Sequence, residues 1–251
     1  MMSYDEAVPE YPGAHGSGFF VSFMGALYLL TARHCMGKLG DNLADRAAHL
    51  LIPASPSLAG QKVTVDDYVR FSSIGRAVST VDLDQFLGHE EGDLDIVALE
   101  VAPDCSPAVL EAVRARAATL PPTGEWFETS LKILSDGGSE AVFRMRGFPH
   151  AGTTTMFDYE NQHIVMQGAE LVGRHVGKGP YPHTRKLRAF DNSPITNPNG
   201  MSGGPVRMRV SGADQERYAL VGMVLGGRFP YVFFATVEWL TAAVKESLRT
   251  G

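Results

Sequence analysis

Apolar and polar residues alternate over short stretches along most of this chain, which is the period of half-buried β-strands. The run GSGFFVSFMGALYLLTA, residues 16–32, combines aromatic and β-favouring residues with a turn signal at residues 24–26. It predicts two antiparallel strands joined by a tight turn. The first half contains further predicted strands at Lys62–Val65, Tyr68–Ser72 and Ile96–Val101.

A helical period replaces this alternation after the first half. Ser106 and Pro107 offer an N-cap and a first-turn proline, and the pattern that follows ends at the prolines of positions 121 and 122. The apolar residues at helical spacing are Val109, Leu110, Val113 and Ala117. The pattern predicts a connecting helix between two β-rich halves.

Alternation resumes in the second half and gives way to another helical stretch at the end. The segment TVEWLTAAVKESLRTG places Val237, Leu240, Val244 and Leu248 on one stripe, between a threonine cap and a glycine. This arrangement predicts a terminal amphipathic helix. The predicted strands before it are Ser130–Leu134, Glu140–Gly147, His163–Val172, Gly203–Val210, Tyr218–Leu225 and Tyr231–Ala235.

Two strand-rich halves with one connecting helix and one terminal helix predict an all-β protein built from two barrels. The expected divisions are an N-terminal barrel over residues 1–102, a connector with a short helix over 103–129, a C-terminal barrel over 130–236 and a helix over 237–251.

The composition allows a substantial core and argues against one class of partner. The chain has 251 residues, of which 44% are hydrophobic, and a formal net charge of -6. A pI near 5.7 argues against nucleic acid as a partner, because phosphate binding depends on clustered lysine and arginine. One basic run, HTRKLR from His183 to Arg188, is interpreted as a solvated strand or loop rather than a binding patch.

Three features bear on the compartment. The initial stretch MMSYDEAVPEYPG lacks the basic start and apolar middle of a secretory signal, and no stretch has the roughly 18 consecutive apolar residues of a membrane helix. The two cysteines, Cys35 and Cys105, are too few for a disulfide framework. These features predict a cytoplasmic protein with no membrane partner. A mature extracellular form that has lost its signal segment is the alternative.

Three short stretches carry residues suited to nucleophilic catalysis. LLTARHC places His34 after an apolar strand, GDLDIVALEV places Asp95 directly before another, and NPNGMSGGPV surrounds Ser202 with glycines. A serine hydroxyl is a weak nucleophile at neutral pH and needs an imidazole to accept its proton and a carboxylate to orient that imidazole. Taken singly, the histidine also fits a core position, the aspartate a strand-edge cap and the serine an ordinary turn.

Together and in this order, TARHC, DIVAL and GMSGGP resemble the marker motifs of the chymotrypsin-like, or trypsin-like, serine peptidases. GSGFFV, RGFP at Arg146–Pro149, GMVLGG at Gly222–Gly227 and the terminal helix also match, so the resemblance covers nearly the whole chain. It implies two antiparallel six-stranded β-barrels with the reacting residues in the cleft between them. The implied activity is that of an endopeptidase that forms an acyl-enzyme.

The resemblance assigns His34 as general base and acid, Asp95 as the orienting carboxylate and Ser202 as the nucleophile. The backbone amides of Gly200 and Ser202 would form the oxyanion hole. Asp93 lies two residues before Asp95, and strand alternation sends both side chains to the same face. Only the family pattern, which places the carboxylate immediately before the Ile-x-Ala-Leu run, selects Asp95.

The chain departs from the digestive members of that family at two points. Met201 stands where those enzymes have the aspartate that pairs with a new amino terminus, and no IVGG-like start is present. The resemblance is therefore closer to bacterial members, and we expect packing or a partner to hold the oxyanion loop. Phe19 stands about where the disulfide partner of Cys35 would lie, which predicts a buried free thiol.

The same resemblance implies that four residues line the pocket for the side chain before the cleaved bond: Thr196, Leu225, Gly227 and Tyr231. None of them is acidic. Burying a lysine or arginine side chain without a counter-charge is unfavourable, so we expect a preference for small or apolar side chains.

No cofactor or metal is expected, since the eight histidines are scattered and neither HExxH, paired CxxC nor a phosphate-binding loop occurs. The expected partner is a protein or peptide substrate. Two other hypotheses share this sequence. One is a pseudoenzyme that grips a peptide in its cleft, and the other is a protease held latent until a regulatory sensor protein releases it.

Overall fold

A computed structural model describes residues 2–5, 8–14, 16–37, 42–54, 67–78, 93–121, 124–136, 140–149, 156–158, 163–165, 168–193, 195–210 and 217–250. Most of the regular structure in these residues is β. No helix among them is long and apolar enough to cross a membrane.

The second half forms a closed barrel of six antiparallel strands, as the sequence predicts. Its strands are β9 (Val142–Gly147), β12 (Ala169–Lys178), β13 (Thr184–Ala189), β14 (Pro205–Val210), β15 (Arg217–Arg228) and β16 (Tyr231–Thr236). Around the barrel their order is β12, β13, β16, β15, β14 and β9. Alternate side chains such as Phe143, Met145 and Phe234 fill the interior and are fully buried. The basic run His183–Arg188 enters strand β13 at Thr184.

The first half forms a five-stranded sheet that does not close within the described residues. Its order is β6, β7, β4, β3 and β8, with β3 (Gly18–Phe23), β4 (Ala26–Thr31), β6 (Phe71–Val78), β7 (Asp93–Val101) and β8 (Ala118–Thr119). The edge strand β8 pairs with β3 through only two residue pairs. The described residues thus form a five-stranded sheet where the family resemblance implies a six-stranded barrel, and the predicted strand Lys62–Val65 lies outside them.

Two small sheets also occur among the described residues. One has the order β2, β1, β5 and the other pairs β10 with β11. Their strands are β1 (Met2–Asp5), β2 (Val8–Ala14), β5 (Leu50–Leu51), β10 (Met156–Asp158) and β11 (His163–Val165). The single strand predicted over His163–Val172 is therefore two strands, β11 and β12.

The connecting and terminal helices are confirmed. Helix α2 (Pro107–Arg116) begins where Ser106 Oγ accepts a hydrogen bond from the Val109 amide at 3.4 Å. Helix α4 (Val237–Thr250) packs against β6 and β7, so it links the end of the chain to the first sheet. The described residues also contain a 3-10 turn (Arg33–Met36), α1 (Leu43–Ala48) and α3 (Trp126–Asp136).

The predicted strand Ser130–Leu134 is wrong, because these residues belong to α3. Phe127, Leu131 and Leu134 recur at helical spacing and pack on the barrel core. The Phe127 ring centroid lies 5.4 Å from that of Phe234. The Phe127 amide donates a hydrogen bond to Glu238 Oε1 at 2.7 Å. Tertiary packing and this capping carboxylate, which comes from α4, override the β-favouring character of the local sequence.

Candidate active site

The pairing of β4 with β7 brings His34 and Asp95 together. Thr31, the last residue of β4, stands opposite Val97 of β7. His34 lies three residues after Thr31, in the 3-10 turn, and Asp95 lies two residues before Val97. Because β4 and β7 are antiparallel, His34 and Asp95 lie at the same end of the strand pair. His34 Nδ1 lies 2.7 Å from Asp95 Oδ2, and the His34 amide donates to Asp95 Oδ1 at 2.9 Å. Both carboxylate oxygens therefore engage one residue.

This pair is open to solvent and shifts the ionisation of the histidine. The His34 side chain is 52% exposed and the Asp95 side chain 33% exposed. The hydrogen bond to Asp95 raises the pKa of His34 well above its ordinary value of 6.5. The Cys35 side chain also raises this pKa, whereas burial lowers it. The carboxylate orients the ring and favours its protonated form.

Ser202 lies on the loop that enters β14 and is 7% exposed. Its Oγ donates a hydrogen bond to the carbonyl oxygen of Leu225 at 3.1 Å. The Cys35 thiol donates to the carbonyl oxygen of Ser202 at 3.5 Å. Because Cys35 follows His34 directly, this contact joins the histidine-bearing turn of the first sheet to the serine-bearing loop of the barrel.

Ser17 holds the same loop through both its backbone and its side chain. Its amide donates to the Ser202 carbonyl at 2.9 Å, and its Oγ donates to the Gly200 carbonyl at 2.9 Å. The Phe148 amide donates to Ser17 Oγ at 3.0 Å. Sequence reasoning assigned Ser17 no role, although its motif GSGFFV was among the supporting matches.

Close backbone approach requires glycine at position 203. Gly203 has a φ of +85°, and a Cβ there would lie 2.0 Å from the carbonyl oxygen of Ser17. Any side chain at this position would push the loop away from Ser17.

The amides of the loop divide into two groups. Those of Met201, Gly203 and Gly204 donate to the carbonyls of Pro198, Val224 and Met201, at 2.8–2.9 Å. The amides of Gly200 and Ser202, in contrast, donate to no backbone carbonyl of the described residues. These two amides are the pair that the family resemblance assigns to an oxyanion hole.

The four predicted pocket residues do not all lie together. Leu225 contacts Ser202 through its carbonyl, and Gly227 lies two residues further along β15. Thr196 is exposed in the loop before Ser202. The Tyr231 ring lies under Lys186 Nζ, 4.3 Å away, and the residue pairs with Arg188 and Arg228 across its neighbouring strands. Tyr231 thus presents its ring to β13 on the outside of the barrel.

A second histidine lies near the His34–Asp95 pair and was not identified from the sequence. His183 is 5% exposed, stacks on Tyr181 at 5.9 Å and meets Trp239 edge-on at 5.8 Å. Burial lowers its pKa to about 4, and the negative charge of Asp95 opposes that shift. A neutral imidazole is therefore enclosed within electrostatic range of Asp95. Its position before β13 in a basic run gave no signal of this proximity.

Both cysteines are free and buried, as predicted for Cys35. Among the described residues, no group of three or more histidine, cysteine, aspartate and glutamate side chains has the arrangement of a metal site.

No protein-family model matches the chain, and no curated protein matches it. Among solved structures, it is similar to the crystal structure of a thermostable serine protease, AL20, from an extremophilic microorganism. The two chains are 13% identical with a TM-score of 0.47, and the match covers 94% of this chain and 97% of the other. A likeness at this level does not by itself indicate an activity.

Proposed function

We propose that this chain is a serine endopeptidase that hydrolyses peptide bonds through an acyl-enzyme, with His34, Asp95 and Ser202 as its catalytic residues. The observation that carries the proposal is that two hydrogen bonds join Asp95 to His34: one to the His34 amide at 2.9 Å and one to its Nδ1 at 2.7 Å. A carboxylate that engages both the ring and the amide of one histidine fixes the orientation of the ring, as a general base requires.

In the proposed reaction, Ser202 Oγ leaves the Leu225 carbonyl and gives its proton to His34 Nε2 as it bonds to the substrate carbonyl carbon. His34 then passes that proton to the departing amine, and the C–N bond breaks to leave an ester on Ser202. Water attacks this ester, with His34 again accepting the proton. The ester C–O bond then breaks, His34 returns the proton to Ser202 Oγ, and the peptide leaves as its carboxylic acid.

Two features support stabilisation of the oxyanion without an activation step. The amides of Gly200 and Ser202 remain available to a substrate oxygen, since the described residues offer them no backbone acceptor, whereas those of Met201, Gly203 and Gly204 already donate to carbonyls. Met201 is 1% exposed and packs in the barrel core, and Ser17 ties Gly200 and Ser202 to β3. Packing and hydrogen bonds thus replace the charge pair of digestive enzymes.

The proposal includes the chymotrypsin-like fold assignment, with the open first sheet as the counterpart of the first barrel. It also includes a preference for apolar side chains before the cleaved bond. The two buried free thiols support a reducing compartment such as the cytoplasm.

Reaction with a fluorophosphonate probe tests the proposal, because this reagent phosphonylates only an activated serine. We expect stoichiometric labelling at Ser202, identified by peptide mass mapping, and none in Ser202→Ala. Ser193→Ala is a matched control, since Ser193 lies in the same loop region and bonds to Ile195. A folded protein that resists the probe would favour the peptide-binding pseudoenzyme instead.

A further inference from the structure

Four arginines lie together on the outer face of the barrel. Arg144 and Arg146 belong to β9, and Arg207 and Arg209 belong to the adjacent strand β14. Alternation assigns them to the outside, because the intervening residues Phe143, Met145, Val206 and Met208 are fully buried. We refer to Arg144, Arg146, Arg207 and Arg209 as the arginine quartet.

The strand register sets like charges against each other. Arg207 stands directly opposite Arg144, a placement that destabilises a sheet. On the other side of β9, Glu170 of β12 stands opposite Arg146, and its Oε1 lies 3.7 Å from Arg144 Nε. The exposed Arg146 and Arg207 are the outermost charges of the quartet.

Another arginine pair in the same barrel shows how such repulsion is relieved locally. Arg174 of β12 stands opposite Arg188 of β13. Each has its own carboxylate, since Arg174 lies 3.7 Å from Glu140 and Arg188 lies 3.3 Å from Asp191. Arg144 and Arg207 have the same cross-strand relation, but Glu170 contacts only the first of them.

The quartet also presents its charges in an ordered array. The Arg144 guanidinium lies over the Tyr218 ring at 4.3 Å, a contact that restrains it next to the sheet. Alternate residues of one strand are about 7 Å apart, and adjacent strands are about 5 Å apart. Carboxylates at alternate positions of an extended peptide have the same spacing as the arginines of one strand.

We propose that the arginine quartet binds an acidic segment of a partner protein in an extended conformation, through charge-assisted hydrogen bonds between guanidinium and carboxylate groups. The net charge of the chain is -6, so this basic surface is local. A short acidic segment touches only the quartet, whereas a long nucleic acid would extend over the acidic remainder of the protein. Binding at this face requires no catalytic step.

Fluorescence anisotropy with the full chain tests the proposal. The probe is a fluorescein-labelled peptide of four Glu-Ser repeats, at about 50 mM salt, where exposed charges interact over about 14 Å. We expect saturable binding, weakened at least tenfold in Arg146→Gln/Arg207→Gln. The matched control Arg174→Gln/Arg188→Gln makes the same change in net charge in the same barrel, and we expect it to bind within twofold of the unchanged protein.

Three outcomes would overturn the proposal. These are no binding of the peptide by a folded protein, equal weakening in both double variants, and tighter binding of a single-stranded oligonucleotide of equal charge. Equal weakening would mean that only the net charge matters. Circular dichroism and mass spectrometry establish that each variant is folded and the peptide uncut, so the result is independent of labelling at Ser202.

Discussion

The amide of Ser17 donates a hydrogen bond to the carbonyl of Ser202 at 2.9 Å, across 185 positions of the sequence. The same residue binds the Gly200 carbonyl through its Oγ. Ser17 therefore ties both ends of the Gly-Met-Ser segment to the first sheet, and it is 2% exposed. Through this residue the position of the Gly200 and Ser202 amides depends on packing between the two halves of the chain.

We expect Ser17→Ala to lower kcat/KM at least tenfold and to lower stability by about 1–3 kcal/mol, the usual range for a buried group left unpaired. The substitution removes the acceptor of the Phe148 amide and the donor to Gly200. The loss should fall on kcat more than on KM, because the oxyanion amides act mainly in the transition state. Steady-state kinetics and urea denaturation measure the two effects.

Ser22→Ala provides the control, because Ser22 lies on β3, the strand that begins directly after Ser17, and its Oγ donates to Thr119 Oγ1 at the sheet edge at 3.3 Å. We expect its kinetics to match those of the unchanged protein. If Ser17→Ala lost stability but retained full turnover, Ser17 would be structural only.

The pH dependence of kcat/KM should reflect His34. The proposed base acts only when neutral, and Asp95 raises its pKa above 6.5. Activity is therefore low at acid pH and increases as the pH rises through the raised pKa, with its midpoint above 6.5. Asp95→Asn should move this midpoint to lower pH and reduce turnover by a thousandfold or more, about 4 kcal/mol of transition-state stabilisation.

Asp93→Asn removes one charge from the beginning of the same strand and is the matched control. We expect it to reduce turnover by less than about tenfold and to keep the midpoint of the unchanged protein. The reverse ranking of the two variants would reject Asp95, and an unmoved midpoint in Asp95→Asn would reject its action on His34.

The sequence predicts those elements and residues that a short stretch of neighbouring residues is enough to identify. The helical spacing that follows Ser106 is sufficient for α2, and TARHC and DIVAL identify the two residues that the pairing of β4 with β7 joins. Asp93 and Asp95 are indistinguishable by periodicity, and only the family motif separates them.

Long-range contacts account for what sequence analysis missed. Ser17 gains its partners from segments 131 to 185 positions away. The helix over Ser130–Leu134 depends on Glu238 as a cap and on the barrel as a packing surface. His183 approaches Asp95 only when the barrel meets the first sheet. No window of neighbouring residues contains these relations.

Substrate preference should follow the absence of acidic residues from the predicted pocket. Peptides with alanine, valine, leucine or phenylalanine before the cleaved bond should be hydrolysed faster than matched peptides with lysine or arginine, because a buried cation needs a counter-charge. The Leu225 carbonyl on β15 accepts a hydrogen bond from Ser202 and Gly227 lies two residues further along that strand, whereas the Tyr231 ring faces Lys186. A peptide library screened by mass spectrometry measures the preference, and a clear preference for arginine would mean that the pocket lies elsewhere.

The arginine quartet should lower the stability of the barrel. Arg207 is exposed and stands opposite Arg144, so Arg207→Gln removes a repulsion while leaving the core unchanged. We expect the free energy of unfolding to rise by about 0.2–1 kcal/mol at low salt. The gain should shrink at about 1 M salt, where the screening length is about 3 Å. Urea denaturation at both salt concentrations measures the free energy of unfolding.

Arg188→Gln is the control, because it removes the contact with Asp191 as well as the repulsion with Arg174, and we expect a net change in stability near zero. Destabilisation by Arg207→Gln at low salt, or a gain that salt leaves unchanged, would show that repulsion between Arg144 and Arg207 does not strain this face.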